Sequence, residues 1–166
     1  MVEKPTILGK AAVVEAMPEH PAVKAILAWK PDALIDAKFD RNELTLTIAA
    51  EEIRAAAATM QAAGYNFMDD LTAVDWFPSS PRFQVSYHLL SHTFKEYIRL
   101  RVLLDDANPS VASITPVWPS ANYYEREVFD LFGIRFEGHV NLRRIMMPDE
   151  WVGHPLRKDY PVEGYR

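Results

Sequence analysis

The sequence predicts an α+β domain with helices packed on one face of a largely antiparallel sheet, followed by an extended Arg-rich C-terminal tail. Three observations carry this. Two pairs of segments alternate apolar and polar residues with the period of a strand, and a short connection joins the members of each pair. An alanine-rich stretch between the pairs has acids in its first turn and a glycine at its end, as a helix does. A second well-marked helix comes late, and beyond it periodicity fades into Gly- and Pro-punctuated chain. With 166 residues, 49% hydrophobic and 25% charged, the composition is that of one packed domain plus a tail and excludes disorder or a fibrous repeat.

The opening is ambiguous up to Pro18. Val23, Ile26 and Leu27 then recur at helical spacing behind Pro21, a good first helical residue, and Pro31 stops that helix. Ile35, Ala37 and Phe39 alternate with Asp36 and Lys38; Leu44, Leu46 and Ile48 alternate with Thr45 and Thr47. Asp40-Arg41-Asn42 between them reads as a hairpin turn. Glu51 to Ala63 is the alanine-rich helix, stopped by Gly64. Phe67 to Trp76 is a less regular strand. Phe83, Val85, Tyr87 and Leu89 form one clean strand and Ile98, Leu100, Val102 and Leu104 the next, linked as a hairpin through Ser91 to Glu96. Asn108-Pro109 reads as the cap and first residue of a short helix ended by Pro116. In the last helix Asn122 and Glu125 have the spacing of a capping box, Arg126 and Asp130 that of an ion pair, and Gly133 is the stop. Tyr124, Val128, Leu131 and Phe132 form its apolar face.

The chain divides into an α+β unit over 1–137, which includes the helix 122–133, and an extended segment over 138–166. Residues 121–166 hold seven basic and eight acidic groups, and six of those seven cations are arginines (Arg126, Arg135, Arg143, Arg144, Arg157, Arg166). Arginine with Trp151, Tyr160, Met146 and Met147 suits a protein partner; the alternative is that the segment folds back on its own domain. Acids interleave Arg143-Arg144 and Arg157-Lys158, and the formal charge is −5, so nucleic acid is not the expected partner. The longest uncharged run, Ala107 to Tyr124, contains Pro109, Pro116 and Pro119 and cannot be a lipid-embedded helix; the N-terminus reads as no signal peptide.

Catalytic patterns are weak. Glu125 and Glu127 are two residues apart and so point roughly 200° apart around a helix, which opposes joint acid–base work. His139 and His154, with Asp149 and Asp159, lack spacing that would put two metal ligands on one face. Gly133 and Gly138 mimic a phosphate loop but follow a helix and lack its Lys-Ser/Thr. The absence of cysteine removes disulfides, thiolate zinc and cysteine-held iron–sulfur clusters from this chain. No catalytic, cofactor-binding or metal-binding residue is assigned.

N-Y-Y-E-R-E-V-F-D-L-F-G-I (Asn122 to Ile134), F-E-G-H-V-N-L-R-R-I (Phe136 to Ile145) and P-D-E-W-V-G-H-P-L-R-K-D-Y-P (Pro148 to Pro161) resemble, in order and spacing, the signature region of the C-subunit family of NADH-quinone oxidoreductase, respiratory complex I. Val140 stands where the family usually has proline. The resemblance implies a non-catalytic structural core subunit of the peripheral arm, without its own cofactor, in a translocase that passes electrons from NADH through FMN and iron–sulfur clusters to quinone. It implies the quinone-site D-subunit and other arm subunits as partners, and a peripheral position on the cytoplasmic face of the bacterial inner membrane through the complex. A homologous subunit of a membrane-bound hydrogenase is the alternative. Asn122, Glu125, Arg126, Glu127, Asp130 and Gly133 are then architectural signature residues. Arg143, Arg144, Trp151, Arg157, Lys158, Asp159 and Tyr160 are the expected contacts to a neighbour, the D-subunit first among them.

Overall fold

The computed structural model describes residues 6–164, so Arg166 and the outermost ends of both predicted units lie outside the described residues. β1 (Ile7–Leu8), α1 (Lys10–Ala16), α2 (Pro21–Trp29), β2 (Leu34–Asp40) and β3 (Glu43–Ile48) precede α3 (Ile53–Ala62). β4 (Phe67–Asp75), β5 (Phe83–Ser91) and β6 (Glu96–Leu104) follow, then β7 (Ser110–Ala112), α4 (Ala121–Phe132) and β8 (Arg135–Glu137). Six strands form one sheet in the order β1-β2-β3-β6-β5-β4, and β7 pairs with β8 separately. Within the sheet only β3 and β6 run parallel; the other neighbours are antiparallel.

Alternation along each strand becomes a row across the sheet. Ala37, Leu46, Leu100, Tyr87 and Leu71 lie opposite one another in turn, all buried. Val13 of α1, Ile26 of α2, Ala56 and Met60 of α3, and Val128 of α4 join the same core. One residue along, Lys38, Thr45, Arg99, His88 and Asp70 form the matching row on the opposite face, and it is polar. There Arg99 Nε donates to His88 Nε2 at 2.9 Å and Arg99 Nη2 to Glu43 at 2.8 Å.

Both predicted hairpins form. The turn between β2 and β3 consists of Arg41 (φ 50°) and Asn42 (φ 63°), a two-residue loop whose positive φ values match the strand twist. Pro21 is the first residue of α2, and Gly64, at φ 105°, follows α3.

Two expectations are corrected. Residues 109–116 are not a helix: Ser110–Ala112 is β7, with Val111 buried and paired to Phe136 in parallel. The local Asn-Pro signal yields to a strand partner 25 residues on, and the Arg135 N–H bonds to the Pro109 carbonyl at 2.9 Å. The capping box is also absent. Ser120 is the N-cap of α4 and makes no side-chain cap bond, Asn122 lies inside the helix, and Glu125 faces the core.

Candidate functional site

α4 and the segment behind it concentrate the charged residues singled out in the sequence. Gly133 takes φ 73°, ending α4 in a left-handed residue, and its N–H bonds to the Phe129 carbonyl at 2.8 Å. The next three carbonyls would be orphans at a free helix end. Here the C-terminal segment serves them. His154 Nδ1 meets the Asp130 carbonyl at 2.9 Å, the Leu156 N–H donates to the Leu131 carbonyl at 3.0 Å, and Arg157 Nε donates to the Phe132 carbonyl at 2.6 Å. Arg157 is thus a cation at the negative end of the helix dipole.

Asp130 is the second anchor. It is fully buried, accepts from Arg144 Nη1 at 2.6 Å, and takes the backbone N–H groups of Ile145, Met146 and Met147 at 2.9, 2.7 and 2.9 Å. Burial pushes its carboxyl up, but these donors together hold it below the ordinary aspartate value. The expected Arg126–Asp130 pair is therefore replaced. Asp130 turns inward to the segment, while Arg126 donates to the carbonyls of Arg143 at 3.2 Å and Arg144 at 3.0 Å. Arg144 also donates to the carbonyls of Trp151 and Gly153 at 2.9 and 3.0 Å.

A third anchor has no counterpart among the sequence-based expectations. Arg82, immediately before β5, is buried and holds Asp75 through Nε and Nη2 at 2.9 and 2.8 Å. It also grips Asp159 through Nη1 and Nη2 at 3.0 and 2.6 Å, and Asp106 at 2.9 Å. The Lys158 N–H donates to Asp75 at 2.8 Å. Burial raises the Asp75 carboxyl, yet the bonds from Arg82, Lys158 and Phe77 outweigh it and bring it down to about 2. The Arg82 guanidinium lies 4.8 Å from the Phe83 ring centre, and that of Arg157 5.1 Å from the same ring. No sequence pattern advertises Arg82, since its partners lie 7, 24 and 77 residues away.

Glu125 is buried, with Oε1 accepting from the Ile114 N–H at 2.7 Å. Burial lifts its carboxyl to about 7, against the lowering effects of Ser113, Ile114 and the Arg54 charge. Glu127 is exposed on the far side of α4 and does not join it. Trp151 is partly exposed and Tyr160 donates its hydroxyl to the Val152 carbonyl at 3.2 Å. The side chains of Arg143 and Lys158 are exposed with no ion pair or hydrogen bond among the described residues. No cluster of three or more potential metal ligands occurs among the described residues, and no described helix is long and apolar enough to cross a membrane.

The class that fold and site define is a two-layer α+β domain whose buried ion pairs bind its own C-terminal segment. Residues 46–166 match the family described as respiratory-chain NADH dehydrogenase, 30 Kd subunit. The NADH-quinone oxidoreductase C-subunit of Roseiflexus sp. (strain RS-1) is 43% identical over 150 residues, 89% of this chain and 86% of that protein. The protein of the same name from Citrifermentans bemidjiense is 47% identical over 134 residues, 80% of this chain and 83% of that one. Among solved structures, a trypsin-resistant fragment of Nqo5 aligns with TM-score 0.65 and 28% identity, covering 74% of this chain and 100% of the fragment. A chain of the membrane-bound sulfane sulfur reductase, an archaeal respiratory membrane complex, aligns with TM-score 0.67 and 27% identity over 84% of each chain. The chain belongs to the 30 kDa subunit family of the respiratory-chain NADH dehydrogenase, the peripheral C-subunit of complex I. The curated relatives carry the NADH-quinone oxidoreductase name, so the hydrogenase alternative is not favoured.

Proposed function

We propose that the chain is a non-catalytic scaffold in the peripheral arm of a proton-translocating NADH-quinone oxidoreductase, seated beside the D-subunit on the cytoplasmic face of the bacterial inner membrane. FMN and the iron–sulfur clusters belong to other subunits, and the chain supports electron passage from NADH to quinone by holding its neighbours in register. The unit over 1–137 is the supporting body, and 138–166 is the partner-contacting segment. The observation that carries this reading is the division of labour within that segment. Arg144, Arg157 and Asp159 fasten it to the body, while Arg143 and Lys158 have no ion pair among the described residues, and Val140, Met146, Trp151, Val152 and Leu156 of the same segment are exposed. Exposed apolar area with arginine and an aromatic anchor is the composition of a protein interface.

Arg143→Glu with Lys158→Glu is expected to leave the thermal midpoint of the purified chain unchanged while reducing recovery of arm subunits and NADH-to-quinone activity in host membranes. Arg144→Ala is expected to lower the midpoint itself. Intact assembly in the double variant would overturn the interface assignment.

A further inference from the structure

One of the two carboxyl oxygens of Glu125 is enclosed without a hydrogen-bond partner. Oε1 takes the Ile114 N–H, but Oε2 is enclosed with no partner, and the enclosed Tyr87 hydroxyl has none either. Glu125 comes from the buried face of α4 and Tyr87 from the covered face of β5, and the two make no hydrogen bond to each other.

The other polar groups around Glu125 do not neutralise it. From α3, the Arg54 guanidinium is bound to the carbonyls of Ser113 and Glu137, each at 2.7 Å. From the segment after β7 come the Ser113 hydroxyl and the Ile114 N–H. At the far end of α4 lie Asp130, Arg144 and His154, engaged with one another. A carboxylate here is a buried charge without a full partner, a cost that the neutral acid avoids.

We propose that Glu125 folds in as the neutral acid and acts as a protonation-controlled pin between α4 and the segment after β7, so that ionisation loosens α4 from the sheet. Because α4 also anchors residues 143–157 through Arg126, Asp130 and its terminal carbonyls, the pin governs the partner-contacting segment from a distance. The sign follows from the carboxyl standing near 7 when packed and near 4.5 when released. Opening then expels a proton between those values, and the opening constant rises about tenfold per pH unit, about 300-fold in all, levelling off above about pH 7.

The test is amide hydrogen exchange across 121–132 in the full-length chain from pH 4.5 to 8, corrected for intrinsic exchange, beside Glu125→Gln. Asp130 and His154 titrate in both proteins and cancel in the ratio. The wild-type to E125Q ratio of opening constants is expected to rise with that slope and plateau; a ratio independent of pH would overturn the proposal. Should E125Q fail to fold, carbon-13 carboxyl titration of the unaltered chain decides. Titration of Glu125 near 7, with the Ile114 amide moving in step, supports the pin, and a value near 4.5 refutes it.

Discussion

Arg82 and its three aspartates illustrate how unequally one ion-pair cluster distributes stability. Asp75 is buried with Arg82, whereas Asp159 has 44% of its side chain exposed. Replacing Arg82 by Met leaves Asp75 as an uncompensated buried charge, an expected loss of about 3–5 kcal/mol in urea unfolding at pH 7. Asp159→Asn is expected to cost less than about 1 kcal/mol, since solvent screens that pair. Equal costs would mean that the cluster is held from the surface. The folded Asp75 carboxyl lies below its free value, so its contribution is complete above about 3.8 and vanishes as pH falls through about 2. The R82M variant should lose that acid-limb dependence. At this scale the sequence is least informative. Spacing makes Asp130 a surface partner of Arg126, because it identifies neighbours on a helix but not which carboxylate will be buried by chain 15 residues later.

Among the elements, α4 shows what local rules can and cannot read. Its apolar positions and its glycine stop follow from periodicity and from the left-handed conformation at Gly133. Its start does not, because Glu125, in the position of a capping-box acid, is drawn into the core to meet Ile114. Gly133→Ala tests the far end. A β-carbon there would stand 2.5 Å from the His154 ring, and the left-handed conformation costs a further ~1–2 kcal/mol in a residue with a side chain. The expected outcome is a midpoint lowered by at least that amount, with faster trypsin cleavage at Arg143 and Arg144; unchanged cleavage would separate the cap from the segment. The six-stranded sheet is legible from alternation over six to nine residues per strand, except for the two residues of β1. β7 and β8 are not, since three residues each offer too little pattern to compete with a proline signal.

For the molecule as a whole, the fold class is readable in the sequence and the course of the last segment is not. Composition leaves folding back and partner contact open, because arginine serves a helix terminus and an interface equally well. A chain ending at Glu137 is expected to keep the sheet but lose about 2–5 kcal/mol, from the Asp130 donors, the terminal carbonyl bonds of α4 and the Arg82–Asp159 contact. Exchange measurements should localise the loss to 121–137; uniform deprotection would show that body and segment fold as one.

The lone parallel pairing in the sheet has a kinetic meaning. β1-β2-β3 and β6-β5-β4 are each an antiparallel set of strands consecutive in the chain, and they meet along one seam, from Leu44 beside Ile98 to Thr47 beside Arg101. The two hairpins close locally in about 1–10 μs, but no turn can bring the seam together. Its paired residues stand 54 apart in the chain and must await the loop closure between them. The β6-β5-β4 half can thus form ahead of the joint, and because α4 packs on β4, that helix has a floor to stand on before the seam closes.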